Sequence, residues 1–227
     1  MSDYFSIERF IKVSPMIIKY LPVTLKITAI ALIASTCIGV LIAAARVYKV
    51  LGLSTFLKGY TVFVRGLPYV VLMLLVYYYM PFLAYKLFGT DINGWDKIIF
   101  VEITFILHES AYIGEIIRGA IESVPKIQKE AAFSIGYTEA KGFFRIILPQ
   151  AVKVAIPGYG SNLVELFQNT AITYMIGLTD FIGRANTLGA STGHFLEAYV
   201  FVAGVYVIIS ILIELFFRFL NSRYQFG

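Results

Sequence analysis

Long apolar stretches alternate with short polar ones along most of this chain. A helix needs about 20 mostly apolar residues to cross the hydrocarbon core of a bilayer. Three stretches are strongly apolar, residues 27–45, 67–85 and 198–213, and the last is expected to extend at both ends. Two more, residues 98–121 and 154–178, are apolar but carry ionisable side chains. The pattern predicts an all-α membrane protein with about five transmembrane helices.

Composition supports the membrane as the solvent. Hydrophobic residues make up 59% of the 227 residues and charged residues only 15%, with a mean hydropathy of +0.78. Soluble domains are usually about half apolar and about a quarter charged, so a water-soluble enzyme, a disordered chain, collagen and a coiled coil are excluded. The single Cys37 excludes a disulfide framework and a multi-thiolate metal site.

The ends of the chain differ from the apolar body. Residues 1–26 are expected to be an N-terminal amphipathic segment in the membrane interface rather than a signal peptide, 27–218 a single transmembrane domain, and 219–227 a tail. Lysine and arginine are more abundant in the loop after the first span, in loop 123–149 and in the tail than on the opposite side. The positive-inside rule then places the N-terminus outside and the C-terminus in the cytoplasm. The sequence has no stripe of basic residues of the kind that binds nucleic acid.

Loop 123–149 is too polar to span and too long for a simple turn. Pro125 is expected to end the preceding helix. A short helix is predicted over residues 129–135, a break at Gly136, and a second short helix over 138–147 with Thr138 as its N-cap. Apolar side chains remain on this charged loop, which is typical of a surface that binds a partner.

The loop carries a recognisable spacing. Glu130-Ala131-Ala132 is followed after three residues by Gly136, and a further nine residues lead to an Ile-x-Leu-Pro sequence that ends at Pro149. This resembles the EAA loop of permease subunits in bacterial ATP-binding-cassette (ABC) importers. Other segments resemble the polar amino-acid uptake permeases (histidine, glutamate, glutamine, arginine and cystine types); they are Arg65-Gly66-Leu67-Pro68, Ser110-Ala111-Tyr112 with Glu115 and Arg118-Gly119, and Gln168-Asn169-Thr170-Ala171-Ile172.

Three positions depart from that family pattern. Ile127 stands where a glycine is usual, Gln168 replaces a lysine and Ala171 replaces a serine. The first departure changes how the loop is entered. The other two change the side chains near Asn169.

The resemblance implies a type I ABC importer permease-like fold in a bacterial cytoplasmic membrane, with the EAA loop supplying a cytoplasmic coupling helix. It implies the inward transport of a polar amino acid by alternating access. Its partners would be two ATPase subunits that bind ATP and Mg, a second permease subunit (identical or similar), an extracytoplasmic amino-acid-binding protein and membrane lipid. The residues implied for coupling to the ATPase are Glu130, Ala131, Ala132, Phe133, Gly136, Leu148 and Pro149.

Polar side chains also follow a helical period inside the two weaker spans. His108, Tyr112, Glu115 and Gly119 are spaced as one helical face, and Gly158, Asn162, Glu165 and Asn169 repeat that spacing. Ionisable groups in a membrane by default face a cavity or a partner. A second interpretation is that Glu115 pairs with Arg118, and Arg118 with Glu122. The predicted substrate pathway comprises Glu109, Tyr112, Glu115, Asn162, Glu165 and Asn169.

No Gly-Lys-Ser/Thr sequence is present, so the chain lacks the phosphate-binding lysine loop and is not expected to hydrolyse ATP itself. No catalytic residue, cofactor or metal site is expected. The alternatives are the same machine carrying another small solute such as an opine or osmolyte, a passive channel, and an intramembrane enzyme that uses His108, Glu109 and Ser110. A second histidine at the metalloprotease spacing is missing after His108-Glu109.

Overall fold

The computed structural model describes residues 5–225, with side chains described through residue 223. This part of the chain is helical and contains no strand, as the sequence predicted. The predicted N-terminal segment 1–26 and tail 219–227 both reach past these limits, because residues 1–4 and 226–227 lie outside the described residues.

In the first half of the chain, one short helix precedes a long helix and another follows it. An interrupted helix comes next in the sequence. A wide turn of π geometry at Leu75–Tyr79 joins the fourth and fifth helices into one rod. The helices are α1 (Ile7–Ile18), α2 (Leu21–Val47), α3 (Leu53–Arg65), α4 (Tyr69–Leu74) and α5 (Met80–Phe88).

The second half has three long helices and three shorter ones. A second π turn at Phe143–Ile147 leads directly from α8 into α9, and a 3-10 segment at Thr170–Ile176 follows α9. The helices are α6 (Lys97–Ser123), α7 (Lys126–Ser134), α8 (Glu139–Gly142), α9 (Leu148–Asn169), α10 (Phe181–Thr192) and α11 (Phe195–Gln225).

Within residues 5–225, three helical stretches are long and apolar enough to cross a membrane. They are Leu21–Val47, Tyr69–Phe88 and Phe195–Arg223, with mean hydropathies of 2.4, 1.6 and 2.6. Helices α6 and α9 contain 27 and 22 residues, which is sufficient length, but they are more polar. The three strongest predicted spans therefore coincide with these stretches, and the total of five stays a prediction.

Two of the differences from the predicted boundaries concern α2 and the second short helix of loop 123–149. Helix α2 begins at Leu21, six residues before the predicted span, because residues 21–26 continue the helix despite Lys26. The second short helix of loop 123–149 does not stop before Pro149, since the backbone stays helical from Glu139 through α9.

Each π turn ends two residues before a proline, Pro81 in one case and Pro149 in the other. A proline has no backbone N–H, and its ring clashes with the carbonyl four residues earlier in a regular α-helix. A π turn widens the backbone by one residue, and Leu148 N–H accordingly donates to the carbonyl of Phe143. The wider turn lets the helix continue through the proline instead of ending there.

The described residues fall into two compact units, each assembled from separate stretches of the chain. Unit one comprises residues 5–33, 67–106 and 164–212, and unit two comprises residues 34–66, 107–163 and 213–225. The long helices α2, α6, α9 and α11 contribute residues to both units.

Unit one has an apolar core formed by α1, α10 and α11. Ile17, Phe181 and Ala198 are buried there, and Val13, Leu188 and Phe201 pack around them. The packing fixes the short helix α1 against two later elements. The N-cap of α10 adds a polar contact to this core, because Asp180 accepts hydrogen bonds from Gly183 N–H at 2.9 Å and from Thr24 Oγ1 at 3.1 Å.

In unit two, glycines bring α2 and α6 together. A Cβ added to Gly39 would lie 2.9 Å from Ile113 Cγ2, and a Cβ added to Gly114 would lie 3.0 Å from Ile42 Cγ2. Small residues allow such close backbone approach between membrane helices. Helix α9 joins this pair through a 2.6 Å hydrogen bond between the hydroxyls of Tyr159 and Thr36.

Candidate functional sites

The α7–α8 pair is the first candidate site, and its turn is built around Gly136. Gly136 has φ +80°, in the left-handed region that favours glycine. Its N–H donates to Phe133 O at 2.9 Å, and Tyr137 N–H donates to Ala132 O at 3.0 Å. These two bonds form a Schellman motif, which satisfies carbonyls at the helix end. The break predicted at Gly136 is present, although α7 starts at Lys126 rather than at residue 129.

Helix α8 is capped and fastened to α7. Thr138 is its N-cap, as expected, and Thr138 Oγ1 accepts a hydrogen bond from Lys141 N–H at 3.3 Å. Lys129 Nζ forms a 2.8 Å ion pair with Glu139 Oε1 across the turn. A Cβ added to Gly142 would lie 3.2 Å from Ala132 Cβ, so the two helices touch at small residues. The α7–α8 pair therefore has a defined helical structure rather than that of an irregular loop.

The predicted coupling residues divide into an inward and an outward group. Ala132 is buried, at 2% exposure, against Gly142. Glu130 and Ala131 are exposed, and Phe133 has 46% of its surface exposed. Their neighbours Ile127 and Ile135 are also exposed, at 64% and 66%. The outer surface of α7 therefore combines one carboxylate with apolar side chains.

Leu148 and Pro149 lie apart from that exposed surface of α7, in the first turn of α9 just after the π turn. Leu148 is half-buried and helps to line a largely apolar cavity of about 470 Å³ within unit two, together with Tyr48 and Phe143. Pro149 is exposed. These two residues therefore lie at the start of α9, the helix that follows the α7–α8 pair, and not on the exposed surface of α7.

The second candidate site is the polar face of α6, where Glu109 and His108 are buried. Glu109 is 0% exposed, and its Oε1 lies 3.4 Å from His108 Nδ1. The His108 ring stacks on the Tyr112 ring with centroids 4.7 Å apart. The guanidinium of Arg65, at the end of α3, lies 4.9 Å from the centroid of the Tyr112 ring. His108 and Arg65 therefore both contact the ring of Tyr112.

Tyr60 of α3 joins this face of α6. Its hydroxyl donates to Leu107 O at 2.6 Å and lies 2.8 Å from Ser110 Oγ. Burial raises the pKa of Tyr60, while the hydrogen bond with Ser110 acts in the opposite direction. Ser110 is thus occupied by a tyrosine hydroxyl, and its contact with Tyr60 positions α3.

Glu115 lies in a cluster of charged side chains. Its carboxylate accepts hydrogen bonds from Arg46 Nη1 and from Arg118 Nη2, and Arg118 Nε lies 3.1 Å from Glu115 Oε1. Arg118 also donates to Glu122. The pairings that the sequence suggested as a second interpretation are therefore present. The contact from Arg46 was not predicted.

The predicted pathway residues of α9 differ in exposure. Asn162 is 5% exposed, Glu165 is exposed, and Asn169, the last residue of α9, is half-buried. The amide oxygen of Asn162 is buried and has no hydrogen-bond partner among residues 5–225. Asn162 belongs to unit two, whereas Glu165 and Asn169 belong to unit one.

Sequence reasoning missed helix α3 and the contacts that it makes, although a signal was present. The buried and half-buried positions of α3 are Ser54, Leu57, Tyr60, Thr61 and Val64, which recur at intervals of three or four residues along one side of the helix. That spacing is typical of one helical face.

In the described part of the chain, no three His, Cys, Asp or Glu side chains gather to form a metal site.

Comparison with known protein families and structures shows which proteins this chain is similar to. The family model of the "binding-protein-dependent transport system inner membrane component" matches residues 35–226, which is most of the chain. The chain belongs to this permease family. It is therefore a membrane-embedded transport subunit of the ABC permease type, and the ATPase is a separate partner. The family has no cofactor of its own, and the alternative of an intramembrane enzyme is wrong.

Relatives of this permease are similar along nearly their whole length. The L-cystine transport system permease protein TcyL of Bacillus subtilis (strain 168) is 36% identical over 209 residues, covering 92% of this chain and 87% of TcyL. The glutamate/aspartate import permease protein GltK of Escherichia coli O157:H7 is 31% identical over 209 residues, covering 92% and 93%. A crystal structure of an amino acid ABC transporter with histidines matches with a TM-score of 0.85 at 27% identity, covering 96% of this chain and 99% of that chain.

Proposed function

We propose that this permease is the membrane subunit of an ATP-driven importer for polar amino acids and that the α7–α8 pair is its coupling element. The two relatives act on cystine and on glutamate or aspartate by name, and the solved neighbour is an amino acid transporter. The observation that carries the coupling role is a short, glycine-ended helix whose outer surface presents Glu130, Ala131 and Phe133.

The outer surface of α7 has the composition expected of a surface that binds an ATPase subunit. Exposed apolar side chains surrounded by charge are typical of protein interfaces. Glu130 offers a carboxylate that can accept a charge-assisted hydrogen bond from a cation on the partner. Gly136 and Ala132 hold this surface in place, because one sets the turn and the other packs against α8. Leu148 and Pro149 lie where the α7–α8 pair continues into α9.

The membrane part is proposed to have five spans, with α6 and α9 added to the three strongly apolar stretches. In this arrangement the N-terminus lies outside, and both the α7–α8 pair and the C-terminus lie in the cytoplasm. The excess of Lys and Arg in the loops assigned to the cytoplasm supports this orientation. Lipid would contact the exposed apolar surfaces of α2 and α11.

The solute is proposed to pass along the polar faces of α6 and α9. A zwitterionic amino acid needs acceptors for its ammonium group and donors for its carboxylate. Glu109 and Glu165 supply acceptors, Asn162 and Asn169 supply amide donors, and Tyr112 supplies a hydroxyl. The buried, unpartnered amide oxygen of Asn162 supports a role for this residue in binding a polar ligand. Glu115 takes part through its arginine pairs rather than as an unoccupied acceptor.

The complete machine would contain two ATPase subunits, which hold ATP and Mg, a second permease subunit and an extracytoplasmic binding protein. ATP binding would close the ATPases, move α7 and convert the permease from its inward-facing to its outward-facing form. The same machine carrying an opine or osmolyte is the second candidate. Uptake of a panel of labelled solutes by the reconstituted complex would separate these two candidates.

Substitution of Gly136 tests the coupling role. A side chain at φ +80° costs roughly 1–2 kcal/mol, and no atom lies within 4 Å of the added Cβ, so backbone strain is the main effect. We expect Gly136→Arg to lower ATP-dependent uptake about tenfold, since 1.4 kcal/mol corresponds to a factor of ten. Uptake into vesicles and the amount of ATPase that co-purifies with the permease are the measurements.

Gly89 provides a matched control for this experiment. It has φ +68° and nothing within 4 Å of an added Cβ, but it ends α5 instead of α7. Gly89→Arg carries similar strain and is expected to leave uptake within about twofold of wild type. Equal loss of uptake in both variants, or unchanged uptake and ATPase binding in Gly136→Arg, would contradict the coupling assignment.

A further inference from the structure

Three helices of unit two meet at one charged cluster, which we call the Arg46 network and which comprises Arg46, Thr61, Glu115, Arg118 and Glu122. Arg46 Nη1 on α2 donates to Glu115 on α6, and it also donates to Thr61 Oγ1 on α3 at 3.2 Å. Arg118 on α6 donates to both Glu115 and Glu122. Positive and negative groups alternate along the cluster, so its four charges cancel.

The network is sheltered except at one end. The side chain of Arg46 is 11% exposed, and those of Arg118 and Glu115 are 22% and 23% exposed, whereas Glu122 is 53% exposed. Sheltered ion pairs are costly to break when only one partner is removed, because the remaining charge is left without a counter-charge. The contacts between Arg46, Glu115 and Arg118 are therefore expected to hold the three helices in one fixed arrangement.

The network also lies next to the proposed coupling element. Glu115, Arg118 and Glu122 occupy the last three turns of α6, which ends at Ser123, and α7 begins at Lys126. Only two residues separate the two helices, so a displacement of α7 is passed directly to the end of α6. From there, the sheltered pairs connect to α2 through Arg46 and to α3 through Thr61.

We propose that Arg46 is a positioning residue for transport, which makes α2, α3 and the end of α6 move together with α7. The inference rests on the proposed function, because it assumes that α7 receives the movement of the ATPase. Arg46 does not contact the solute in this proposal. Its removal would loosen the connection between ATP hydrolysis and movement of the membrane helices while leaving both ends of the machine intact.

The test uses the full complex of permease, ATPase subunits and binding protein, reconstituted into vesicles. Two quantities are measured, the ATP hydrolysed without solute and the number of solute molecules moved per ATP. We expect Arg46→Gln to raise the first and to lower the second at least about fivefold, the lower end of typical coupling between sites. Arg46→Lys keeps the charge near Glu115 and is expected to stay within about twofold of wild type.

Arg218→Gln is the matched control, since Arg218 pairs with Glu214 inside α11 and both side chains are largely exposed, at 72% and 57%. Solute moved per ATP should not change in this variant. An unchanged ratio in Arg46→Gln overturns the proposal, even when less complex is recovered, because the ratio is independent of the amount. If Arg46→Gln does not assemble, the double variant Arg46→Gln with Glu115→Gln, which removes both charges of the contact, decides: a complex that assembles and moves at least about fivefold fewer solute molecules per ATP supports the proposal, and a normal ratio contradicts it.

The behaviour of the wild-type complex tests the proposed function separately from the role of Arg46. A wild-type complex that neither hydrolyses ATP in response to a polar amino acid nor moves it overturns the proposed function itself. A working wild type whose Arg46→Gln variant keeps a normal ratio overturns only the positioning role.

Discussion

Helix α2 is fastened near each end by a carboxyl group from another part of the chain, and the two attachments use different chemistry. Near its start, Thr24 Oγ1 donates to Asp180 Oδ2 at 3.1 Å. Near its end, the guanidinium of Arg46 donates to Glu115. Asp180 is fully buried and surrounded by neutral donors, whereas Glu115 is partly exposed and lies between two arginines.

The difference shows how the surroundings determine what a buried acid does. Gly183 N–H and Thr24 stabilise Asp180 without any cation, so burial dominates and raises the pKa of Asp180 above its ordinary value of 3.8. That site works as a helix cap and a packing contact. Glu115 is instead matched by the positive charges of two arginines, one of which joins α2 to α6.

Glu115→Ala is expected to give the largest effect. The substitution leaves the sheltered guanidiniums of Arg46 and Arg118 without their shared partner, which costs roughly 3 kcal/mol. We expect a fall of about 6–12 °C in the midpoint of thermal unfolding in detergent, given about 2–4 °C per kcal/mol for a chain of this size. Glu214→Ala, which removes the exposed partner of Arg218, is the control and should change the midpoint little.

A midpoint for Glu115→Ala close to that of Glu214→Ala would show that solvent already screens the Arg46 network. The contrast with Asp180 would then be one of burial alone.

Asp180→Ala is expected to have a smaller effect. It removes the N-cap of α10 and leaves Gly183 N–H and the Thr24 hydroxyl without an acceptor inside unit one. Loss of an N-cap usually costs about 1–2 kcal/mol. The expected fall in the unfolding midpoint is therefore about 2–8 °C, again at 2–4 °C per kcal/mol. A fall larger than that of Glu115→Ala would reverse the order proposed for the two attachments.

Asp180→Asn should show the smallest change, and that change should depend on pH. Because the pKa of Asp180 is raised in the folded protein, the fold favours the protonated form. Its contribution to stability is greatest below 3.8, the ordinary pKa, and is lost as the pH rises through the folded-state value. Asparagine cannot ionise, so the variant should become more stable relative to wild type as the pH rises.

Unfolding midpoints of wild type and Asp180→Asn, measured side by side from acidic to neutral pH, would check this prediction. A wild type that gains stability over the variant with rising pH would mean that neutral donors are sufficient to keep Asp180 ionised.

Local sequence signals predicted the parts of the fold that depend on neighbouring residues. Gly136 and Thr138 were identified as the break and the N-cap, because a left-handed turn favours glycine and an N-cap favours a hydroxyl. The helix was expected to end before Pro149, and it does not. A proline normally stops an α-helix, but the preceding π turn accommodates it, and no short sequence pattern predicts that turn.

The candidate sites show the same division. The pairing of Glu115 with Arg118 follows from their spacing of three residues on one helix, and it was among the interpretations that the sequence supported. The contacts of Arg46 with Glu115 and Thr61 join residues 69 and 15 positions apart. They depend on how α2, α3 and α6 pack, which no local pattern specifies.

The sequence by itself determined that this chain lies in a membrane, because its apolar stretches match the thickness of a bilayer, and the spacing around Gly136 pointed to the permease family. Only the tertiary structure decided that α3 binds to α6 and that Ala132 packs inward while Glu130 faces outward. It also decided which cations meet Glu115. The physical reason is that hydrophobicity and turn preference act over a few residues, whereas the choice of an ionic partner depends on which helices lie side by side.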